Sequence, residues 1–254
     1  MTESQRSPEL LATATQQRLL VLTALARSIP EGAGSDCVLV GVDGVDGSGK
    51  TVLADELGEI LRRAGSPTVR VSIDDFHHVQ AVRYRRGRQS PEGFWLDSFN
   101  YARLHADVLA PLGPGGSRSY RTHGHDLASD RELRADPQVA AASSVVVIDG
   151  LFLHRDELAP VWDFSIFLDV PFEVTAQRMA TRDGSPPDPT HPTLRRYVEG
   201  QRLYFAQCTP KQRASVVVDN TFFDAPRIVL PGVVPPHRSL HPMRAWTPGL
   251  CAET

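Results

Sequence analysis

The sequence predicts an α/β fold of three layers, with a central parallel sheet and helices on both faces of the sheet. Three observations support this prediction. Short apolar runs alternate with helical patterns, two of these runs end in acidic residues, and a glycine-rich loop joins the first run to a helical pattern. A chain of 254 residues is long enough to bury one substantial core.

The composition narrows the class of protein. The chain has 41% apolar and 22% charged residues, which is typical of a soluble globular protein. Its formal charge of -3 provides no general attraction to long nucleic acid, and no apolar run is long enough to span a bilayer. The expected partners are therefore a small molecule and, at most, further copies of the chain as a homo-oligomer.

Cysteine usage indicates a cytoplasmic location. Cys37, Cys208 and Cys251 are odd in number, lie far apart and follow no metal-ligand spacing. This pattern favours neither a zinc site nor a disulfide framework, so a reducing compartment fits best.

Residues 1–36 are predicted to contain one helix. The apolar stretch 19–26 ends in an Ala-x-Ala pattern that resembles the core of a signal peptide. However, Glu9 precedes it, and Arg18 and Arg27 flank a pattern that suits an amphipathic helix. A helix packed beside the following domain is therefore the preferred interpretation.

The glycine-rich loop is a complete Walker A motif. It follows a buried apolar run at 37–42 and precedes residues 51–63, whose apolar side chains are spaced for one face of a helix. The order strand, glycine loop, helix is the context that this motif requires, and it predicts a P-loop NTPase-type fold. The motif reads Gly44-Val45-Asp46-Gly47-Ser48-Gly49-Lys50-Thr51.

Such a loop binds a nucleoside triphosphate, because its backbone N–H groups surround phosphate oxygens at the positive end of a helix. Lys50 is one of only two lysines beside twenty-five arginines, which indicates that a compact point charge is needed there. Its ammonium would reach the β and γ phosphates, and the Thr51 hydroxyl would bind Mg²⁺. The alternative is a glycine-rich turn with an exposed lysine. The predicted nucleotide-binding residues are Gly44, Asp46, Gly47, Ser48, Gly49, Lys50, Thr51 and Val52.

Acidic residues end the second and third apolar runs. Asp149 stands where a carboxylate would complete the Mg²⁺ site with Thr51, although it could also begin a turn. Transfer of a phosphoryl group to a hydroxyl needs a carboxylate that takes the proton, and Asp74 is the candidate. Asp74 and Asp75 could instead cap a helix, and Asp75 could be only the cap.

Beyond residues 1–36, the chain divides into a main domain, an insertion within that domain, and a tail. Residues 37–225 form the predicted main domain, residues 76–134 are an irregular, polar insertion over the site, and residues 226–254 are a proline-rich tail without periodicity, extended or disordered. Further strands are predicted at 164–169 and 215–219, and helices at 171–182 and 193–207.

Several segments resemble the uridine kinase family, a group that includes phosphoribulokinase and bacterial pantothenate kinase. Residues 71–77 resemble its "S-x-D-x-F-Y" segment, and residues 147–151 are similar to its "EG" strand end. The resemblance runs in consistent order from about residue 38 to 220. It also includes the strand Phe167-Leu168-Asp169-Val170 and the "Y-D-x-x-x-H" spacing of Tyr120 and His125. Arg178, Arg182 and Asp183 resemble the family's lid sequence, which implies a lid around residues 182–195.

The resemblance implies an ATP-dependent kinase that moves the γ-phosphate to a primary hydroxyl of a small molecule, first of all the 5′-OH of uridine or cytidine. It implies ATP and Mg²⁺ as cofactors. The catalytic residues would be Asp74, Lys50, Arg178 and Arg182, and the metal would be held by Thr51, Asp149 and Asp74. The alternative for the two arginines is an amphipathic helix that presents them to solvent.

The resemblance places the acceptor in the insertion, with His77, Phe94, Asp97, Tyr120 and His125 as its predicted contacts. Phe94 could instead belong to the core, and a histidine could be an ordinary surface or hydrogen-bonded residue. The sequence departs from the family pattern here, because His77 replaces a tyrosine and Asp149 replaces a glutamate.

These departures leave other acceptors open. The arginines of residues 83–88 could recognise a phosphate or carboxylate on a phosphosugar or a pantothenate-like molecule, or they could form a solvated loop. Two further alternatives are a nucleotide-binding regulatory protein with weak transfer and a simple NTP hydrolase.

Overall fold

The computed structural model describes Leu11 and residues 14–231, without the side chains of residues 230 and 231. The α-helices are α1 (Gln16–Ser28), α2 (Lys50–Arg63), α3 (Gln80–Arg83), α4 (Pro91–Asp97), α5 (Tyr101–Leu104), α6 (Ala110–Leu112), α7 (Phe172–Asp183), α8 (Arg195–Cys208) and α9 (Pro210–Arg213). The strands are β1 (Val38–Gly44), β2 (Thr68–Ser72), β3 (Ser119–Tyr120), β4 (His125–Asp126), β5 (Arg131–Glu132), β6 (Gln138–Val139), β7 (Val145–Gly150), β8 (Phe164–Asp169), β9 (Val216–Asp219) and β10 (Arg227–Pro231).

Six strands form the main sheet in the order β10-β9-β8-β1-β7-β2. The predicted central parallel sheet is confirmed for five of them, and β10 is added antiparallel to β9 at one edge. In the register of the sheet, Asp149 on β7 pairs with Val42 on β1 and with Ser72 on β2. The strand ends that carry the predicted chemistry therefore meet at one edge of the sheet.

The two faces of the sheet bury separate cores, as alternating strand residues require. Val38, Val40 and Val42 of β1 face one core, which α1 and α2 cover through residues such as Leu22 and Leu57. The opposite core contains residues from α4 and α8, and from β2 and β7. This arrangement confirms the prediction of helices on both faces.

The predicted insertion contains more regular structure than its polar sequence indicates. Helices α3 to α6 follow one another, with a π-helical turn at His105–Leu109, and two short antiparallel pairs, β3 with β6 and β4 with β5, follow them. The segment reaches β6, just beyond the predicted limit at residue 134. Its helix α4 packs against α8, so the insertion lies on the α8 side of the sheet.

The two ends of the described chain both join the main domain. The helix predicted within residues 1–36 is α1, and its Arg18 forms an ion pair of 2.6 Å with Glu56 of α2. Residues 227–231, at the beginning of the predicted tail, form the extended strand β10. Backbone pairing with the free edge of β9 supplies the order that the sequence pattern did not show. The rest of the predicted tail, 232–254, lies outside the described residues.

Candidate active site

The P-loop has the backbone shape of an anion cradle. Gly47 and Gly49 have φ angles of 72° and 93°, in the left-handed region that glycine adopts without strain. Helix α2 begins directly after Gly49 with no side-chain cap, so its first N–H groups stay open for a ligand. The buried Ser48 hydroxyl likewise has no hydrogen-bond partner among the described residues. These features fit the phosphates of a nucleotide.

Side chains from three other elements hold the loop in this shape. Asn220 Nδ2 donates to Ser48 O at 2.7 Å, and Gln201 of α8 accepts from Asp46 N at 2.8 Å. Arg178 of α7 donates to Asn220 O at 2.8 Å and lies 3.4 Å from Ser48 O. Arg178 thus binds backbone carbonyls beside the loop. The alternative, in which an amphipathic helix presents Arg178 to solvent, does not describe this position.

Two of the three predicted metal ligands, Thr51 and Asp149, are in contact. Thr51 Oγ1 donates to Asp149 Oδ2 at 2.6 Å, and the Asp149 side chain is almost fully buried. The other oxygen of Asp149 accepts from Arg70 at 3.0 Å. A hydroxyl beside a fixed carboxylate is a donor set suited to Mg²⁺, which prefers oxygen ligands. The position of Asp149 inside β7, and not in a turn, follows from its pairing with Ser72.

Asp74 lies at the rim of the same group. It belongs to a 3₁₀ turn at Ile73–Phe76, whose cap is Ser72, so neither Asp74 nor Asp75 is the cap. Asp74 is accessible to solvent at the rim, but protein groups lie close around its carboxyl. They reduce its hydration, and this desolvation raises its pKa. The positive charge of Lys50 opposes the rise in that pKa, and the negative charge of Asp149 adds to it. The charges of Lys50 and Asp149 therefore both act on the carboxylate of Asp74.

Lys50 extends along the loop. Its Nζ donates to Val45 O at 2.8 Å. Burial raises the pKa of Asp46, Lys50 opposes this, and Asp74 adds to it, so Asp46 lies in the same electrostatic group.

A cavity of about 310 Å³ opens beside Asp46. Apolar side chains of α7 and α8, among them Met179 and Val198, line it, and Arg182 and Ser185 stand on its lid side. Arg182 is 67% exposed and pairs with Asp183 at 2.8 Å. The predicted lid arginine therefore stands near the P-loop without touching it.

His77 lies next to Asp74, and its ring forms a hydrogen bond with the Asp74 backbone carbonyl. The His77 Nδ1 atom is 2.7 Å from Asp74 O, and its ring packs 4.5 Å from that of Phe99. Burial lowers the pKa of His77 from 6.5 to about 4; its hydrogen bond to Asp74 opposes this change, and the nearby Arg83 and His125 add to it. His77 is therefore neutral at pH 7.

The other predicted acceptor contacts are engaged within the protein. The Phe94 ring is buried against Phe152 and Tyr197, at 5.4 and 4.9 Å, as the core alternative has it. The Tyr120 hydroxyl donates to Gln138 at 3.2 Å. Of this set, His77 is the residue that contacts Asp74.

Asp97 and His125 each pair with charged residues. Asp97 is 1% exposed and accepts from Arg85 and, at 3.0 Å, from Arg86. His125 Nε2 is 3.2 Å from Asp130, and its Nδ1 has no hydrogen-bond partner among the described residues.

Three of the four arginines of residues 83–88 form ion pairs. Arg83 pairs with Asp130 at 3.2 Å, and Arg85 and Arg86 share Asp97. Arg88 lies over the Tyr84 ring at 4.5 Å. The ion pairs hold three of the guanidinium groups in place, and 59% of the Arg85 side chain stays exposed.

Comparison with known proteins identifies the group to which this fold and site belong. Residues 39–186, more than half of the chain, match the profile of the "Phosphoribulokinase / Uridine kinase family". The chain belongs to this family. The matched segment includes the P-loop, Asp74 and Asp149, whereas Gln201 and Asn220 lie beyond it.

Individual relatives are distant. Nicotinamide riboside kinase 1 of Homo sapiens is 28% identical over 151 residues, 59% of this chain and 67% of that protein. A uridine kinase of Shewanella pealeana is 25% identical over 198 residues, 72% of this chain and 88% of that protein. A solved structure described as "a Possible Uridine Kinase" from Bacillus stearothermophilus superposes with a TM-score of 0.61 at 23% identity, covering 77% of this chain and 96% of that one. That structure supports the fold.

Several residues that hold the P-loop and Asp149 in place were not predicted from the sequence. Arg70, Gln201 and Asn220 contact the P-loop or Asp149 from elements distant in the sequence. The alternation of apolar and polar residues in β2 places Arg70 on the α2 face, but a pattern cannot name its partners. Asp43, directly before the loop, is fully buried and accepts from Tyr204 and His154.

Within Leu11 and residues 14–231, no helix has the length and apolar character needed to cross a bilayer.

Proposed function

We propose that this family member is an ATP-dependent kinase that transfers the γ-phosphate to a primary hydroxyl of a neutral nucleoside, with the 5′-OH of uridine or cytidine as the first candidate. The observation that carries the proposal is the contact of Thr51 with Asp149 at 2.6 Å beside the P-loop, with Lys50 and Asp149 near enough to Asp74 for their charges to act on its carboxylate. A phosphate-binding lysine, a metal-binding carboxylate and a second carboxylate at the rim are the groups that this transfer needs.

Mg²⁺-ATP fits the residues present. The open N–H groups of α2 and the unpartnered Ser48 hydroxyl would bind phosphate oxygens. Thr51 and Asp149 would hold the cation. When bound, Mg²⁺-ATP supplies the phosphoryl group and neutralises its charge. The loop would keep its shape when Mg²⁺-ATP binds, because Asn220, Gln201 and Arg178 already hold its backbone.

Asp74 would orient the acceptor hydroxyl and accept its proton. Its carboxylate is reachable from solvent, unlike that of Asp149, so an acceptor can approach it. Its raised pKa makes it a better proton acceptor than an ordinary aspartate. Arg182, on the lid side of the cavity, would approach the phosphates when the lid closes and exclude water.

A neutral acceptor agrees with the charges of the insertion. Asp130 and Asp97 already pair with Arg83, Arg85 and Arg86, and His77 carries no charge at pH 7. A phosphosugar or pantothenate-like acceptor would have to compete with these carboxylates for the arginines. The names of the two relatives, a uridine kinase and a nicotinamide riboside kinase, also favour a nucleoside; uridine is neutral, and nicotinamide riboside carries a positive charge and no negative one.

An acceptor panel tests the proposal directly. Purified protein is assayed for ADP release with Mg²⁺-ATP and uridine, cytidine, nicotinamide riboside, pantothenate or ribulose 5-phosphate. We expect acceptor-dependent release with at least one nucleoside and none with the two anionic acceptors. If no acceptor stimulates release, the kinase proposal fails; if only an anionic acceptor does, the acceptor class is wrong.

Two neighbouring variants test the role of Asp74. Asp74→Asn should lower kcat by about 10² or more with little change in ATP affinity, because it removes the proton acceptor and keeps the shape. Asp75→Asn is the matched control, since its carboxylate lies toward His123, at 3.7 Å. Equal activity of the two variants would contradict the role of Asp74 and favour a protein that binds nucleotide without transfer.

A further inference from the structure

Arg70 occupies a place that α2 keeps open for it. Val69 and Val71 of β2 face the core on the α8 side, so Arg70 lies on the opposite face, toward α2. The residue of α2 at the crossing point is Gly58, where an added Cβ would be 3.2 Å from Arg70 Cδ. Glycine inside a helix costs about 1 kcal/mol relative to alanine. Here it leaves room for the arginine side chain.

The guanidinium of Arg70 connects three elements. It donates to Asp149 Oδ1 on β7 at 3.0 Å, to Asp55 Oδ1 on α2 at 2.9 Å, and to Val147 O at 2.6 Å. The Arg70 side chain is 14% exposed and that of Asp149 is 2% exposed, whereas Asp55 is 42% exposed. The Arg70 to Asp149 pair is therefore largely shielded from water, which strengthens its hydrogen bond.

Both oxygens of Asp149 have protein donors. Arg70 binds Oδ1, and the Thr51 hydroxyl binds Oδ2 at 2.6 Å. With both oxygens engaged, the plane of the carboxylate is set before any ligand arrives. The oxygen on the Thr51 side is the one that faces the P-loop.

We propose that Arg70 is a positioning residue for Mg²⁺, which orients Asp149 so that its Oδ2 and the Thr51 hydroxyl form one ready oxygen site. This inference rests on the proposed use of Mg²⁺-ATP. A planar guanidinium is needed, because it binds Asp149, Asp55 and a backbone carbonyl at fixed angles, which a lysine cannot do. Residues that orient a metal ligand are commonly worth 10- to 100-fold in metal affinity.

The test is a binding experiment that does not depend on turnover. A fluorescent ATP analogue is titrated into wild-type protein and Arg70→Met, first in EDTA and then at increasing Mg²⁺. We expect the Mg²⁺ concentration for half-maximal tightening of binding to rise about 10-fold or more in the variant. The affinity in EDTA should stay within about twofold, because the P-loop contacts are unchanged.

Arg62→Met is the matched control. Arg62 lies on α2, is exposed and sits 3.7 Å from Glu59, away from Asp149. It should leave both titrations unchanged. An Mg²⁺ midpoint in Arg70→Met equal to that of wild type would overturn the inference. So would a lower midpoint, which would mean that the arginine charge merely repels the cation.

A second variant covers the case in which Arg70→Met does not fold. Asp55→Asn removes the negative charge of one anchor of Arg70 at an exposed position, so the fold should persist. It should raise the Mg²⁺ midpoint by about two- to fivefold, less than loss of the arginine itself. If Arg70→Met is unfolded and Asp55→Asn leaves the midpoint unchanged, the inference fails. Failure of the acceptor panel, in contrast, would remove the kinase proposal and leave this binding result intact.

Discussion

The histidine at position 77 couples stability to pH. Its pKa is about 4 in the folded chain and about 6.5 when the chain is unfolded, because burial disfavours its charged form. Between these values the unfolded state binds more protons, so the free energy of unfolding falls as the pH falls. We predict that wild type loses about 1 to 3 kcal/mol relative to His77→Gln between pH 7 and pH 4.5.

Urea unfolding of both proteins across this range measures the difference. From pH 7 to 8 the imidazole is neutral in both states, so the difference between the two proteins should be constant there. A difference that stays constant down to pH 4.5 would show that His77 is readily protonated in the folded protein. That result would also weaken the argument for an uncharged acceptor site.

At the scale of elements, the P-loop lies directly on α7, and Gly47 is the point of contact. A Cβ on Gly47 would be 2.9 Å from Thr175 O and 3.1 Å from Met179 Cγ, at a φ of 72°. Gly184, after α7, has a similar φ of 77° but no atom within 4 Å of such a Cβ. An alanine at either position would therefore have a strained backbone, but only an alanine at position 47 would also collide with atoms of α7.

We predict that Gly47→Ala lowers the free energy of unfolding by about 3 kcal/mol and Gly184→Ala by about 1 kcal/mol. Urea unfolding measures both losses. Gly47→Ala should also weaken nucleotide binding, because the loop must move away from α7, whereas Gly184→Ala should not. Equal losses of stability would mean that α7 moves away from the new methyl group at no cost in free energy. The loop would then be less firmly held than its contacts indicate.

At the scale of the whole molecule, a buried ion pair joins the N-terminal helix to the nucleotide site. Arg18 of α1 pairs with Glu56 at 2.6 Å, donates to Phe223 O at 2.8 Å, and is 1% exposed. The same region holds Asn220, which binds the P-loop. The N-terminal helix, α2 and the chain after β9 are therefore one packed unit.

We predict that Arg18→Met lowers the free energy of unfolding by about 3 to 5 kcal/mol, because it leaves the Glu56 charge buried and unpaired. The double variant Arg18→Met, Glu56→Met should be more stable than Arg18→Met alone, since no charge is then stranded. A double-mutant cycle by urea unfolding checks this. Additive losses would show that the two charges are solvated independently.

Local patterns were sufficient for much of the fold and of the candidate site. The Walker A loop, Asp74 and Asp149 were predictable because each depends on a short motif at the end of an apolar run. The antiparallel edge strand β10 was not, because its order comes from pairing with β9 and not from its own periodicity. The short helices of the insertion were obscured in the same way by polar residues whose partners lie elsewhere.

The amino-acid order alone specified the P-loop class, the five parallel strands and the two strand-end carboxylates, since these follow from hydrophobic periodicity and from a motif of eight consecutive residues. Long-range contacts decided the rest. The chain had to fold before Arg70 could meet Asp149, Asn220 could bind Ser48, and Asp97 and Asp130 could form ion pairs with the arginines. The physical reason is that a hydrogen bond or ion pair depends on distance in space, which a sequence pattern does not encode.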